Sequence, residues 1–466
     1  MIGLFGILLA LGLLIYLAFR GVSVLVLGPI MALLAAAFSL QPGLATYTQI
    51  FMPAMGSFAI TYFPIFLLGA IFGRFMETSG AARSIANGVV ARLGEAQAIP
   101  ALVVACAVLT YGGVSLFVVA FAVYPIAVAL FLAADIPKRL IPAAIALGAF
   151  TFTMTALPGT PAIQNAIPMP YFGTTSFAAP GLGLIAAIIL ASGGLAWLRY
   201  REKRAAASAE GYGYPEDQVV PDCPEEKETK EGALPSFWIA ALPIAVVITL
   251  NYLLSVHLFP ALDTAYLIEP RFGPTTIGEV RGIWAIIIAL GAAAIFLYLL
   301  NRERMETPVS DLNSGAGASV MPIFNTASLV GFGAVIAGLP AFADVTLAVE
   351  NLGGGPIISL AIATSILAGL TGSASGGMTI ALEAVGDRYL EQAQALGLAP
   401  DILHRVTTLA TGGLDALPHN GAVITLLSIC GLTHKESYAD IAVVAVVVPL
   451  IALVVVIVLG TLFGSF

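Results

Sequence analysis

The chain has 466 residues, enough for two or three soluble domains, but 59 % are hydrophobic and only 10 % charged, against about 25 % charged in a typical soluble domain. So few charges cannot hold that much surface in water, and a mean hydropathy of +0.98 makes lipid the main solvent, which excludes a cytosolic enzyme, a secreted module and a disordered scaffold together. The net charge is −8, and no basic stripe is present to release counterions, so a nucleic-acid partner gains no support.

The opening run MIGLFGILLALGLLIYLAFR has no basic residue before Arg20 and no small-x-small cleavage site. It reads as an uncleaved span with its N-terminus outside, because the basic end stays in the cytoplasm. Residues 22–38 return outward, and 58–75 re-enter toward Arg74, Arg83 and Arg92. Residues 98–133 are apolar but interrupted at Gly112-Gly113, with basic residues beyond both ends; they make two crossings or one re-entrant hairpin. Residues 141–168 go outward but contain LPGTPAIQNAIP, too rich in proline for one unbroken helix. Residues 178–198 come back to RYREKR, and 199–235 is polar, rich in Pro, Gly and mixed charge, which predicts a cytoplasmic linker.

The second half, 236–466, repeats the pattern: 236–259, 283–300, 318–343, a paired stretch 357–383, a broken stretch 403–430 and 440–463. With each paired stretch taken as a hairpin, every half makes five crossings. An odd number inserts the second half upside down relative to the first, residues 1–198. If the hairpins cross fully, the chain has fourteen spans instead. The predicted fold is therefore an all-α polytopic membrane protein of two inverted repeats with broken helices, both termini outside.

An internal repeat supports that division. Leu109-Thr110 opens LTYGGVS and Leu370-Thr371 opens LTGSASGG, while Ala156-Leu157-Pro158 opens ALPGTPAIQN and Ala416-Leu417-Pro418 opens ALPHNGAVIT. The two motifs lie 47 residues apart in the first half (109 to 156) and 46 in the second (370 to 416), so they hold register. Backbone interrupted at membrane depth exposes N–H and C=O groups, each costing several kcal/mol if unpaired, so such breaks persist only where protein, water or ligand completes them. The half-helix after each break points free N–H groups and a positive dipole end inward, which suits an anion.

On this basis Tyr111, Gly112, Gly113 and Ser115 are placed at the first hairpin tip, with Gly159, Thr160 and Asn165 at the first break. Ser373, Ser375, Gly376 and Gly377 form the second tip, facing His419, Asn420 and Gly421. Asn both donates and accepts, which suits a hydroxyl beside a carboxylate; the same small residues could also serve close helix packing. Asp415 and His419, four apart across Leu417-Pro418, share a face if the segment is helical up to the break, and are proton-coupling candidates. An Asp cap and a hydrogen-bonded core His is the other reading. Glu383 is a third candidate. No metal cluster, P-loop, dinucleotide fingerprint or hydrolase motif is present, so no cofactor is expected and uphill transport must draw on an ion gradient or on an external partner.

LHRVTTLATGGLDALPHNGAVITLLSICGLTHKESYADI (403–441), GLTGSASGGMTIALEA (369–384), YGGVSLFVVAFAVYPIA (111–127) and LPGTPAIQNAIP (157–168) resemble the gluconate:proton symporter family of bacterial inner-membrane permeases. The resemblance implies elevator-type architecture, a homodimer, and uptake of a small organic anion with protons: gluconate, glycerate, D-serine or 3-hydroxybutyrate. VGFGAVIAGLPAFADV (330–345) lacks the glycine run of gluconate carriers, and the pattern is nearer to 3-hydroxybutyrate permeases. Sodium coupling through Ser, Asn and backbone oxygens at the breaks is the alternative, and an intramembrane enzyme or anion channel is the reading from another class.

Overall fold

The computed structural model describes residues 2–20, 22–94, 97–213, 234–342, 355–418 and 420–466. Among these every regular element is helical. The first half runs α1 (Ile2–Phe19), α2 (Val24–Phe38), α3 (Gly43–Thr78) and α4 (Ala81–Leu93), then the pair α5 (Ala98–Tyr111) and α6 (Leu116–Ala133). A broken segment follows, α7 (Ile141–Ala149), α8 (Phe152–Thr155), α9 (Ile163–Ala166) and α10 (Pro168–Phe172), and α11 (Pro180–Ala207) closes the half. The second half runs α12 (Phe237–Ala261), α13 (Ile277–Asn301), α14 (Pro308–Ala337), the pair α15 (Gly355–Thr371) and α16 (Ala374–Ala395), the broken α17 (Pro400–Leu414) and α18 (Gly421–Ile429), and α19 (His434–Phe463).

Seven of these, α3, α6, α11, α12, α13, α14 and α19, are long and apolar enough to cross a membrane. Each paired stretch is a helix–turn–helix. The 14 residues of α5 extend about 21 Å at 1.5 Å per residue, short of a hydrocarbon core of about 30 Å. Several boundaries differ from the sequence reading, among them the end of α16 at Ala395 rather than 383. Helix α3 begins at Gly43 rather than 58, and α14 at Pro308 rather than 318, because polar residues in TYTQ and SDLNSG disguise helix that is not wholly lipid-facing. Helix α11 continues to Ala207, nine residues into the stretch read as linker, and residues 214–233 lie outside the described residues. Helix α4 was not anticipated; it buries Ile85, Ala86 and Val89 along one side, the stripe of an amphipathic helix.

Small residues set how closely the helices approach. A Cβ on Gly333 of α14 would stand 2.2 Å from the Ile380 side chain of α16, and one on Gly377 would stand 2.3 Å from the Ala368 backbone inside the second hairpin. Helices α1, α2, α14 and α16 share a cluster that includes Leu14, Met31, Phe332 and Ile380. At one end of the bundle the buried carboxylate of Asp440 accepts from Arg139 at 2.9 Å and from the Trp197 indole at 3.0 Å, and Arg201 is ion-paired to it at 2.8 Å. Arg139 also grips Glu210 through two bonds of 2.6 and 2.9 Å, which holds that carboxyl below its usual range. Three long helices contain a π turn, at Tyr47–Phe51, Leu253–Leu258 and Val443–Val447.

Candidate functional site

The first break is laced shut. Between α8 and α9 the chain turns at Gly159 (φ 82°), where a Cβ would stand 2.5 Å from the Phe177 ring. Carbonyls on both sides of the break find side-chain donors. Tyr111 donates to Pro158 (2.6 Å), Asn251 to Gly159 (3.1 Å), and Asn165 to Thr160 (3.1 Å) and Ser176 (2.9 Å). Arg405, fully buried in α17, donates to Thr155 (3.1 Å) and to Ala178 (2.8 and 3.2 Å). The Asn165 side-chain oxygen meets His404 Nε2 at 3.1 Å and Arg405 at 3.4 Å, and His404 Nδ1 meets Thr174 at 2.6 Å. A buried guanidinium is tolerable here because carbonyl dipoles surround it.

The second break is held more lightly. Helix α17 ends at Leu414 with Asp415 as its C-cap, and α18 starts after Asn420. The Asn420 oxygen accepts from the backbone N–H of Ala422 (2.6 Å) and Val423 (3.1 Å), and its nitrogen donates to Gly372 (2.9 Å) in the second tip. Tyr438 donates to Ala416 at 3.1 Å and His434 meets Pro418 at 2.8 Å. Helix α17 thus stops before Asp415 and does not run up to Pro418. His419 lies outside the described residues.

A cavity of about 720 Å³ lies where these parts meet, within the range of small-ligand pockets. Gly113, Val114 and Ser115 of the first tip and Thr371–Ser375 of the second line it. The first break contributes Pro161–Gln164, and the second contributes Asp415, Ala416, Asn420 and Gly421. The starts of α6, α16 and α18 open onto it at Leu116, Ala374 and Gly421. Helix α14 adds Ser314, Ser319, Asn325 and Thr326, and the space continues along α3 to Arg74 and Glu77. Arg74 pairs with Glu77 and with Asp311, both at 3.2 Å. The hydroxyls of Thr326, Ser375 and Ser373 form a slack chain at 3.5 and 3.4 Å, longer than a good O–H···O bond.

Of the residues singled out in the sequence, Gly113, Ser115, Ser373, Ser375, Asp415, Asn420 and Gly421 come together on this cavity. The others among the described residues do not line it. Tyr111, Thr160 and Asn165 belong to the lacing of the first break. Gly159 supplies its left-handed turn. Gly112 gives room to Ile244, Gly376 to Leu329 and Gly377 to Ala368. Glu383 is exposed and accepts from Tyr171 at 2.5 Å. Sequence reasoning passed over Gln164, Asn325, Thr326 and Arg405. The available signals were the second amide of AIQN, the hydroxyls spaced along α14, and an arginine inside an apolar span. Among the described residues, no three His, Cys, Asp or Glu side chains cluster to hold a metal ion.

The profile of the family described as GntP family permease matches residues 1–462. The uncharacterized transporter YxjC of Bacillus subtilis (strain 168) is 45 % identical over 451 residues, 95 % of either chain. The Alcanivorax borkumensis YdaH transporter, whose crystal structure was reported to reveal an unusual topology, superposes with a TM-score of 0.58 over 91 % of this chain and 90 % of that one. At 16 % identity that likeness concerns the fold. Apolar spans, broken helices and a shared cavity thus converge with homology on one assignment: this chain belongs to the GntP permease family and is a multi-pass membrane transporter.

Proposed function

We propose that the chain is a secondary active symporter that takes up a small hydroxy-carboxylate, such as gluconate, glycerate or 3-hydroxybutyrate, together with a proton carried on Asp415. The observation that carries the reading is one cavity joining two hairpin tips, three helix N-termini and a carboxylate. The start of α6, which no side chain caps, and the hydroxyls of the cavity favour an anionic ligand. Asp415 on the same cavity opposes one unless it is neutral. Two carboxylates about 5 Å apart repel by about 3 kcal/mol at an effective dielectric constant of about 20, so a proton on Asp415 would raise anion affinity on the order of a hundredfold. Binding of each then favours the other, which is thermodynamic coupling.

In this reading the halves are inserted in opposed orientations, both termini lie outside the inner membrane and residues 199–235 lie in the cytoplasm. The cavity reaches Arg74, at the basic and hence cytoplasmic end of α3. A unit holding both hairpins moves against a scaffold of the remaining helices, and the scaffold joins two protomers. Proteoliposome uptake under imposed gradients tests the core of the proposal. Saturable accumulation of a hydroxy-carboxylate driven by an inward proton gradient is expected. Accumulation driven by sodium alone would replace the proton with Na⁺, and chemical conversion or non-saturating flux would replace the transporter with an enzyme or a channel.

A further inference from the structure

We infer that Arg74 is a second station for the transported anion, at the mouth of the cavity, where the substrate's carboxylate changes places with Glu77 on the guanidinium; this rests on the carboxylate reading above. Among the described residues, Arg74 is the sole cationic side chain on the cavity wall, and Glu77 and Asp415 are the acidic ones. Its side chain is 37 % exposed, so a ligand in the cavity can reach it. The same cavity runs from the hairpin tips to Arg74, so one ligand can visit both places.

The two carboxylates that hold Arg74 do so unequally. Asp311 is only 7 % exposed and approaches Nε and Nη2, both at 3.2 Å. It fixes the guanidinium on the inner side, where α3 and α14 pack so closely that a Cβ on Gly315 would stand 2.9 Å from the Ile71 backbone. Glu77 is 47 % exposed, lies one turn further along α3 and reaches only Nη1, at 3.2 Å. That is longer than a good charge-assisted bond of about 2.7–2.9 Å. Exposed pairs of this kind hold weakly, because water competes and both side chains lose freedom. A guanidinium has five N–H donors in one plane, and these two partners do not use them all. A substrate carboxylate can therefore replace Glu77 and meet the fork through two parallel bonds.

The direction of the effect follows from charge. With Glu77 in place the trio carries one more negative charge than positive, which opposes an anion. With Glu77 swung into water, Arg74 and Asp311 balance and an anion is admitted. Glu77 is thus an internal competitor that weakens binding at the mouth and, by returning, speeds release.

The test is exchange of labelled 3-hydroxybutyrate, gluconate or glycerate by the full chain in proteoliposomes, read as half-saturating concentration and maximal rate. Glu77→Gln should lower the half-saturating concentration about threefold and also lower the maximal rate, because release slows. Arg74→Gln combined with Asp311→Asn leaves no buried charge alone and should raise the half-saturating concentration about tenfold. Added to that pair, Glu77→Gln should bring no further gain. If the double variant fails to insert, Arg74→Lys serves instead; it keeps the charge but loses the fork, and a rise of about threefold is expected. Native kinetics in Glu77→Gln, or a gain from it that persists without Arg74, would overturn the exchange of partners and leave the trio a structural clamp between α3 and α14. If the native protein exchanges no carboxylate at all, the substrate reading fails and the station falls with it.

Discussion

The two proline-broken segments begin with the same Ala-Leu-Pro, yet the structure uses them differently. At the first break, the carbonyls of Thr155, Pro158, Gly159 and Thr160 are covered by side chains reaching in from α5, α9, α12 and α17, and Thr160, Asn165, His404 and Arg405 are buried to 0 % exposure. At the second, Asn420 caps one helix and clasps one hairpin tip, while Asp415 and Gly421 stand on the cavity wall. A repeated motif therefore does not carry a repeated role. The first copy has become a fixed strut, and the second retains the open, ligand-completed character that broken backbone at membrane depth allows.

That contrast ranks the effects of substitution on the unfolding free energy of the detergent-solubilised protein. The largest belongs to Arg405→Leu, which orphans the Thr155 and Ala178 carbonyls together; a loss of about 3 kcal/mol or more is expected, and a variant as stable as the native protein would remove the strut from the account. Next is Gly159→Ala, at a positive φ with the Phe177 ring in the way. It should cost about 2 kcal/mol, while Gly421→Ala, with nothing within 4 Å of its new methyl, should change stability by less than about 0.5 kcal/mol. Equal costs at the two glycines would erase the difference between the breaks. Asn420→Ala removes a helix cap and the clasp on Gly372, for about 1 kcal/mol, and hydrogen exchange should quicken at the second tip before anywhere else. Asp415→Asn should alter the fold least, within about 0.5 kcal/mol, yet reduce proton-driven accumulation more than tenfold while downhill exchange survives. Parallel loss of both activities would deny Asp415 a coupling role.

Much of this architecture was legible because lipid enforces simple rules. Apolar runs located the spans, glycines at 112–113 located a turn, and the recurring Ala-Leu-Pro located both breaks. The site was half legible. Both tips and the second break were placed on the cavity, but at the first break Asn165 was chosen over Gln164. Which of two adjacent amides faces a cavity depends on how the chain rotates through an irregular turn, and neither period 3.6 nor period 2 applies there. Thr326 was hidden for another reason: it lies on an unbroken helix, where a lone hydroxyl reads as lipid-tolerant packing. Arg405 shows the limit of charge arithmetic. Its partners are carbonyls, which composition cannot reveal.

The π turn at Val443–Val447 gives α19 a property that its length alone would not. One extra residue in a turn advances the phase of everything beyond it by about 100°. Residues on either side of the turn therefore do not continue one stripe. Below it Asp440 meets Arg139 and Trp197, at the turn Ala445 reaches the cavity, and above it Val448, Ala452 and Val456 are buried on a reset face. A single rod thus addresses three neighbours in different directions, like a keyed shaft. Deleting one residue within 443–447 would bring those faces back into line, and either the charged anchor or the packed wall would lose its mate.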